Sequence, residues 1–137
     1  MVGALVLVGT LVLATAVGLL MKARDGQVRT ASASGLPADI RALVAPAGVT
    51  LVQLSTTFCA PCRHARVLLA DLAGRVEGLH HTELDLTDRP DLTKELAVLR
   101  TPTTLAIDGQ GAEILRVGGV PKRDELLAAL KAHLPSH

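Results

Sequence analysis

The chain has 137 residues, a net charge of +1, 49% hydrophobic residues and a single aromatic side chain, Phe58. That size admits one domain of ordinary dimensions, and a core without Trp or Tyr has to be built from Leu, Val, Ile and Ala in sheet and helix layers. The near-neutral charge gives no basic, aromatic-lined face for nucleic acid, and two cysteines exclude a multi-disulfide scaffold and a four-cysteine zinc or iron–sulfur site.

Met1 to Met21 carries no charged side chain, and Val2 to Leu20 is Val, Leu, Ala and Gly broken only by Thr10 and Thr15. Roughly 20 apolar residues, at about 1.5 Å of helical rise each, cross a hydrocarbon core of ~30 Å. Residues 1–21 are therefore expected to be a single-pass anchor in the lipid bilayer of the cell membrane. Two alternatives stay open. A cleaved signal peptide would want a positive segment ahead of a shorter apolar run, and a buried core helix would want a polar face. Lys22, Arg24 and Arg29 follow the span, so the positive-inside rule favours a cytoplasmic globular domain, with the extracytoplasmic face as the alternative. Residues 22–35, KARDGQVRTASASG, read as a flexible linker with an edge-strand signal at Gln27 to Ala31.

Residues 36–137 alternate helical and extended patterns. Pro37 to Val44 opens with Pro and Asp in the first turn, as a short helix does. Val49 to Leu54 is a nearly continuous apolar strand, the pattern of one covered on both faces. Ala60 to Val76 is a helix with Leu69, Leu72, Ala73 and Val76 on one side, stopped by Gly78. His80 to Leu86 is a strand, and Asp91 to Leu99 a helix with Leu92, Leu96 and Leu99 in register. Thr103 to Ile107 and Glu113 to Val117 form a hairpin across Asp108-Gly109-Gln110-Gly111, and Pro121 to Leu134 is a final helix carrying Leu126, Leu127, Leu130 and Leu134. Early βαβ units followed by a hairpin predict a mixed central sheet with helices on both faces, an α/β fold.

One chemical motif stands where the apolar strand meets the longest helix: Phe58-Cys59-Ala60-Pro61-Cys62-Arg63. A cysteine at a helix N-terminus feels unpaired backbone N–H groups and the positive end of the dipole, and both favour the thiolate. Cys62 lies one turn on, close enough to close a small disulfide ring. Pro61 is tolerated in the first turn, where its missing N–H would have had no helical partner. Attack by Cys59 on a disulfide would give a mixed disulfide that Cys62 could resolve. Three other uses of the pair remain open. Half of a zinc site would have to recruit His64, His80, His81 or carboxylates at irregular spacing, a covalent haem site would need His where Arg63 stands, and a purely structural disulfide would restrain little chain entropy.

Residues 36–135 resemble the thioredoxin family, including its membrane-tethered bacterial thiol–disulfide oxidoreductases. The resemblance rests on VTLVQLSTTFCAPCR, LDLTDRPDL, RTPTTLAIDGQG and the Gly118-Gly119 pair, in that order. It implies a thioredoxin-like fold, Cys59 as exposed nucleophile, Cys62 as buried resolving thiol, and no bound cofactor or metal. It also implies a cis Thr101–Pro102 peptide packed against the Cys59 sulfur, with the Thr101 backbone free to pair with an extended substrate. The implied partners are protein dithiols and disulfides and an upstream electron donor, such as a thioredoxin reductase or a membrane thiol carrier, acting on a monomer. The alternative is a non-catalytic adaptor that docks peptides at the Pro102 groove. Three positions depart from the family pattern. Phe58 stands where Trp is usual, Gln53 replaces a buried Asp, and Glu83 takes the place of a partnering Lys. An amide cannot accept a proton from the resolving thiol, so Glu83 becomes the candidate proton acceptor. Of the histidines, His64 could assist a thiolate, and none forms an evident base or ligand constellation.

Overall fold

A computed structural model describes residues 1–30 and 35–136. The elements in chain order are α1 (Val2–Arg24), β1 (Val28–Thr30), α2 (Ala38–Arg41), β2 (Val49–Ser55), α3 (Ala60–Arg75), β3 (Leu79–Asp85), α4 (Pro90–Glu95), β4 (Thr103–Asp108), β5 (Glu113–Gly118) and α5 (Arg123–Leu130), closed by a 3-10 turn at Lys131–His133. Among the described residues the sheet runs β1-β5-β4-β2-β3. β2 and β3 pair in parallel and the other neighbours are antiparallel, so the expected mixed sheet is present.

Every residue of β2 is buried because the strand has neighbours on both edges and helices on both faces. Val49 and Leu51 point into a cluster with Leu69 and Leu72 of α3 and with Leu126 and Leu130 of α5. Val52 and Leu54 point the other way, onto Ile40 of α2 and Leu92 and Leu96 at α4. Each such Leu or Val contributes about 1.5–3 kcal/mol when fully buried, which is how a core with one aromatic holds together. At the opposite end of the sheet from the motif, Gly48 adopts φ +81°, and a Cβ there would lie 2.0 Å from the Gly78 carbonyl oxygen. The start of β2 is thereby clamped to the start of β3.

Two expectations need correction. The linker reading fails before residue 31, and Ala31 to Ser34, like the tail residue His137, lie outside the described residues. Val28, Arg29 and Thr30 pair with Val117, Arg116 and Leu115, Gly26 N–H donates to the Gly118 carbonyl at 2.8 Å, and Asp25 meets Arg100 at 2.6 Å. An edge strand needs one hydrogen-bonded flank and little apolar surface, so polar composition does not preclude it. The second concerns α4, expected to reach Leu99 but ending at Glu95. Ala97 turns into the left-handed region at φ 51°, and Leu99 is 96% exposed.

Candidate active site

The registers Leu54↔Thr103, Ser55↔Asp85, Thr103↔Gly118 and Val28↔Val117 gather the ends of all five strands along one edge of the sheet. The chain leaves β2 at that edge and enters α3 through the motif. Cys59 is the N-cap of α3, and its sulfur accepts from the Cys62 backbone N–H at 3.2 Å. Ala60 and Pro61 complete a first turn in which proline costs nothing. Cys62 begins the buried stripe Cys62, Ala65, Leu69, Leu72, which sinks it to 1% exposure, whereas Cys59 stays half-buried. The two are joined as a disulfide with Cα atoms 5.2 Å apart.

The preceding loop is tied down by Thr57, whose N–H and hydroxyl both meet Thr87 Oγ1 at 2.9 Å. Thr87 in turn donates both its hydroxyl and its N–H to Asp85, the N–H at 2.8 Å, and these two bonds, the hydroxyl's first, hold the Asp85 carboxyl below its usual range. Phe58, next to Cys59, is 99% exposed. On the facing loop the Thr101–Pro102 peptide is cis, Pro102 is buried, and Thr101 Oγ1 lies 3.4 Å from Thr56 Oγ1.

Beneath Cys62 lies a polar layer that sequence reasoning reached only in part. Gln53, fully buried, donates from Nε2 to the Cys62 carbonyl at 2.8 Å, and its Oε1 is 3.1 Å from His81 Nε2. A carbonyl can only accept, so the amide nitrogen must face Cys62 and the amide oxygen must face His81. His81 Nε2 is then the donor, which leaves Nδ1 as the nitrogen that titrates. Burial pushes His81 below its ordinary value, Glu83 opposes that shift, and Arg66 adds to it. Glu83, the cross-strand neighbour of Gln53, is held by Arg66 at 2.6 Å through each oxygen. That hydrogen bonding, with the charge of Arg66, holds Glu83 below the usual carboxylate range, against the effect of its partial burial. On the other side of Gln53, Thr104 buries a hydroxyl with no hydrogen-bond partner. The i, i+2 spacing of His81 and Glu83 was the one signal that both share a strand face with Gln53's neighbours. His64 is exposed on α3, and among the described residues no three His, Cys, Asp or Glu side chains group to hold a metal.

A thioredoxin family model matches residues 37–132. Thioredoxin from Staphylococcus saprophyticus is 30% identical over 88 residues, covering 64% of this chain and 84% of that protein. Thioredoxin H2-2 from Oryza sativa is 32% identical over 81 residues, and the chain spans 59% of its length. The crystal structure of thioredoxin NaTrxh from Nicotiana alata superposes with TM-score 0.55 at 25% identity, covering 64% of this chain and 75% of that one. Mitochondrial thioredoxin 3 from Saccharomyces cerevisiae, in its oxidized form, gives TM-score 0.57 at 22% identity, with 69% and 87% covered, a likeness of fold. With a strand-to-helix CxxC pair closed as a disulfide and a cis proline on the facing loop, the chain belongs to the thioredoxin family and carries its thiol–disulfide oxidoreductase pair in Cys59 and Cys62.

Proposed function

We propose that the protein is a membrane-anchored thiol–disulfide oxidoreductase that exchanges electrons with protein dithiols and disulfides. The observation that carries this reading is the asymmetry of the pair, a half-buried Cys59 at the helix N-terminus and a Cys62 sunk to 1% exposure. In the reduced state the N-terminal N–H groups of α3 and its dipole stabilise a Cys59 thiolate. That thiolate attacks a substrate disulfide, forming a Cys59–substrate bond and expelling the first substrate sulfur as a thiolate. Cys62, once deprotonated, attacks the Cys59 sulfur. The second substrate thiolate leaves, and the Cys59–Cys62 disulfide forms with two electrons passed to the substrate. The same steps reversed oxidise a dithiol, and a dithiol donor, such as a thioredoxin reductase or a membrane thiol carrier, restores the reduced pair. Thr101 offers its backbone to an extended substrate while the buried Pro102 closes the groove beside Cys59.

Residues 1–21 act as a single-pass anchor in this reading, and the charges beyond them favour a cytoplasmic domain. The support is a 23-residue helix of mean hydropathy 2.5 over its most apolar window, none of it buried. The contacts of Asp25, Gly26 and β1 support a globular unit that begins at residue 25 in place of residue 36.

The pair is tested by trapping. Cys62→Ser should accumulate mixed disulfides on Cys59, and Cys59→Ser should accumulate few or none. Equal trapping by both variants would overturn the assigned roles. Cys59→Ala separates the reading from an adaptor, which would keep its partner without the nucleophile.

A further inference from the structure

Where α1 meets the domain, a cavity of about 210 Å³ is lined by Arg24, Arg29, Arg100 and Arg116, with Leu99 and Gly118 among its other walls. Two of these cations are already committed. Arg100 holds Asp25 at 2.6 Å, and Arg116 holds Glu113 at 2.8 Å and the Leu96 carbonyl at 2.5 Å. Arg24 and Arg29 meet no carboxylate among the described residues. The cavity thus presents two uncommitted guanidinium groups, beside two more whose acid partners, Asp25 and Glu113, are not among its walls. Guanidinium forks match phosphate oxygens bidentately.

The cavity also sits at a defined height. Arg24 ends the apolar helix, and only Asp25, Gly26 and Gln27 separate that helix from β1. The junction is pinned by the Asp25–Arg100 pair and by the Gly26–Gly118 hydrogen bond. β1 starts at the same sheet edge that carries Cys59 and Pro102, and Arg100 is two residues from Pro102. Outside α1 the exposed large apolar side chains among the described residues are Phe58, Val67 and Leu99. Phe58 adjoins Cys59 on this edge, and Leu99 forms part of the cavity wall.

We infer that the arginine cavity is a binding site for the phosphate headgroups of anionic lipids, and that headgroup binding holds the redox edge against the membrane surface. The inference rests on the reading of α1 as a membrane span. It deepens the proposed function, because a site held there meets thiols and disulfides presented at the bilayer surface before those of the bulk phase. Basic side chains near an anionic bilayer each strengthen binding by a factor of about five.

The chain contains no Trp, so Leu99→Trp creates a single reporter on the cavity wall. The full-length variant would be reconstituted in vesicles of phosphatidylcholine alone or with phosphatidylglycerol, each carrying headgroup spin-labelled lipid as quencher. Quenching should be stronger with phosphatidylglycerol, and Arg24→Gln or Arg29→Gln should each lower the ratio of quenched to unquenched reporter about fivefold. Turnover of a water-soluble disulfide should be unchanged by either Arg variant, which a general folding defect would not allow. Equal quenching in both lipids, or indifference to both Arg variants, would overturn the inference. So would full competition by millimolar inorganic phosphate in the phosphatidylglycerol vesicles at constant ionic strength, which would make the site one for free phosphate. Flotation of the vesicles is read in parallel: a chain that floats but shows no lipid preference loses only the cavity assignment, whereas a chain that does not float loses the anchor itself.

Discussion

Gln53 is where this chain's chemistry is set apart, because its amide spans the Cys62 carbonyl and His81 without being able to take a proton. Gln53→Asp should speed resolution of the mixed disulfide near neutral pH, since a desolvated Asp titrates closer to the operating range and can act as a base. It should also lower stability by about 1–3 kcal/mol, because the Cys62 carbonyl loses its donor and faces another acceptor. Single-turnover resolution and urea unfolding check the two halves separately, and an Asp variant that is both slower and less stable would refute the assignment. Thr104 tests the same layer from β4. Its hydroxyl is buried without a partner, so Thr104→Val should raise stability by about 1 kcal/mol, and a loss of stability would show that the hydroxyl is satisfied. His81 supplies the pH dependence. Its folded-state value lies below the ordinary 6.5, so the unfolded chain binds the proton more readily. Stability from neutral His81 is therefore full above about 6.5 and is lost as pH falls through the lower folded value. Urea midpoints of wild type and His81→Gln should draw together as pH drops below 6.5, and a gap that widens instead would mean that protonated His81 is the form that stabilises the fold.

Elements were legible in the sequence wherever the burial pattern matched the period of one element. β2 read correctly because Val49, Leu51, Val52 and Leu54 leave only Thr50 and Gln53 as polar interruptions before Ser55 ends the strand, and α3 because its buried stripe runs at helical spacing from Cys62 to Leu72. β1 was only hinted at, since its bonds are backbone bonds to β5 and its side chains are mostly exposed. The overreach at α4 has a local cause: Leu92, Leu96 and Leu99 keep helical spacing, but the backbone reverses at Ala97 before Leu99 is reached. In the site, Cys59 and Cys62 were readable from spacing, whereas the Gln53–His81 contact joins residues 28 apart and becomes visible only once β2 and β3 are in register. The α4 terminus carries its own prediction. A left-handed alanine pays a steric penalty that glycine avoids, so Ala97→Gly should raise the unfolding free energy by about 0.5–1 kcal/mol in urea titration. A destabilised variant would mean that the Ala97 methyl is held by contacts stronger than the strain.

At the scale of the whole molecule, the chain is a helix that buries nothing joined to a domain whose described large aliphatic residues are buried or half-buried except Val67 and Leu99. Deleting residues 1–22 should therefore release a soluble, folded domain. Its thermal midpoint should match that of the full chain in mild detergent, because the removed side chains contribute no packing to the core. Deleting residues 1–30 is a different operation, although it removes only eight residues more. It takes away the Asp25–Arg100 pair, the Gly26–Gly118 hydrogen bond and the whole of β1, leaving the β5 edge from Leu115 to Val117 unpaired. Val28 also leaves the cluster it packs against. The longer deletion should melt at lower temperature and associate through the bared edge, visible as concentration-dependent light scattering. Two truncations with equal midpoints would show that β1 lies on the sheet without holding it. An insoluble 1–22 deletion under reducing conditions would show instead that α1 covers part of the domain, and the anchor reading would fall with it.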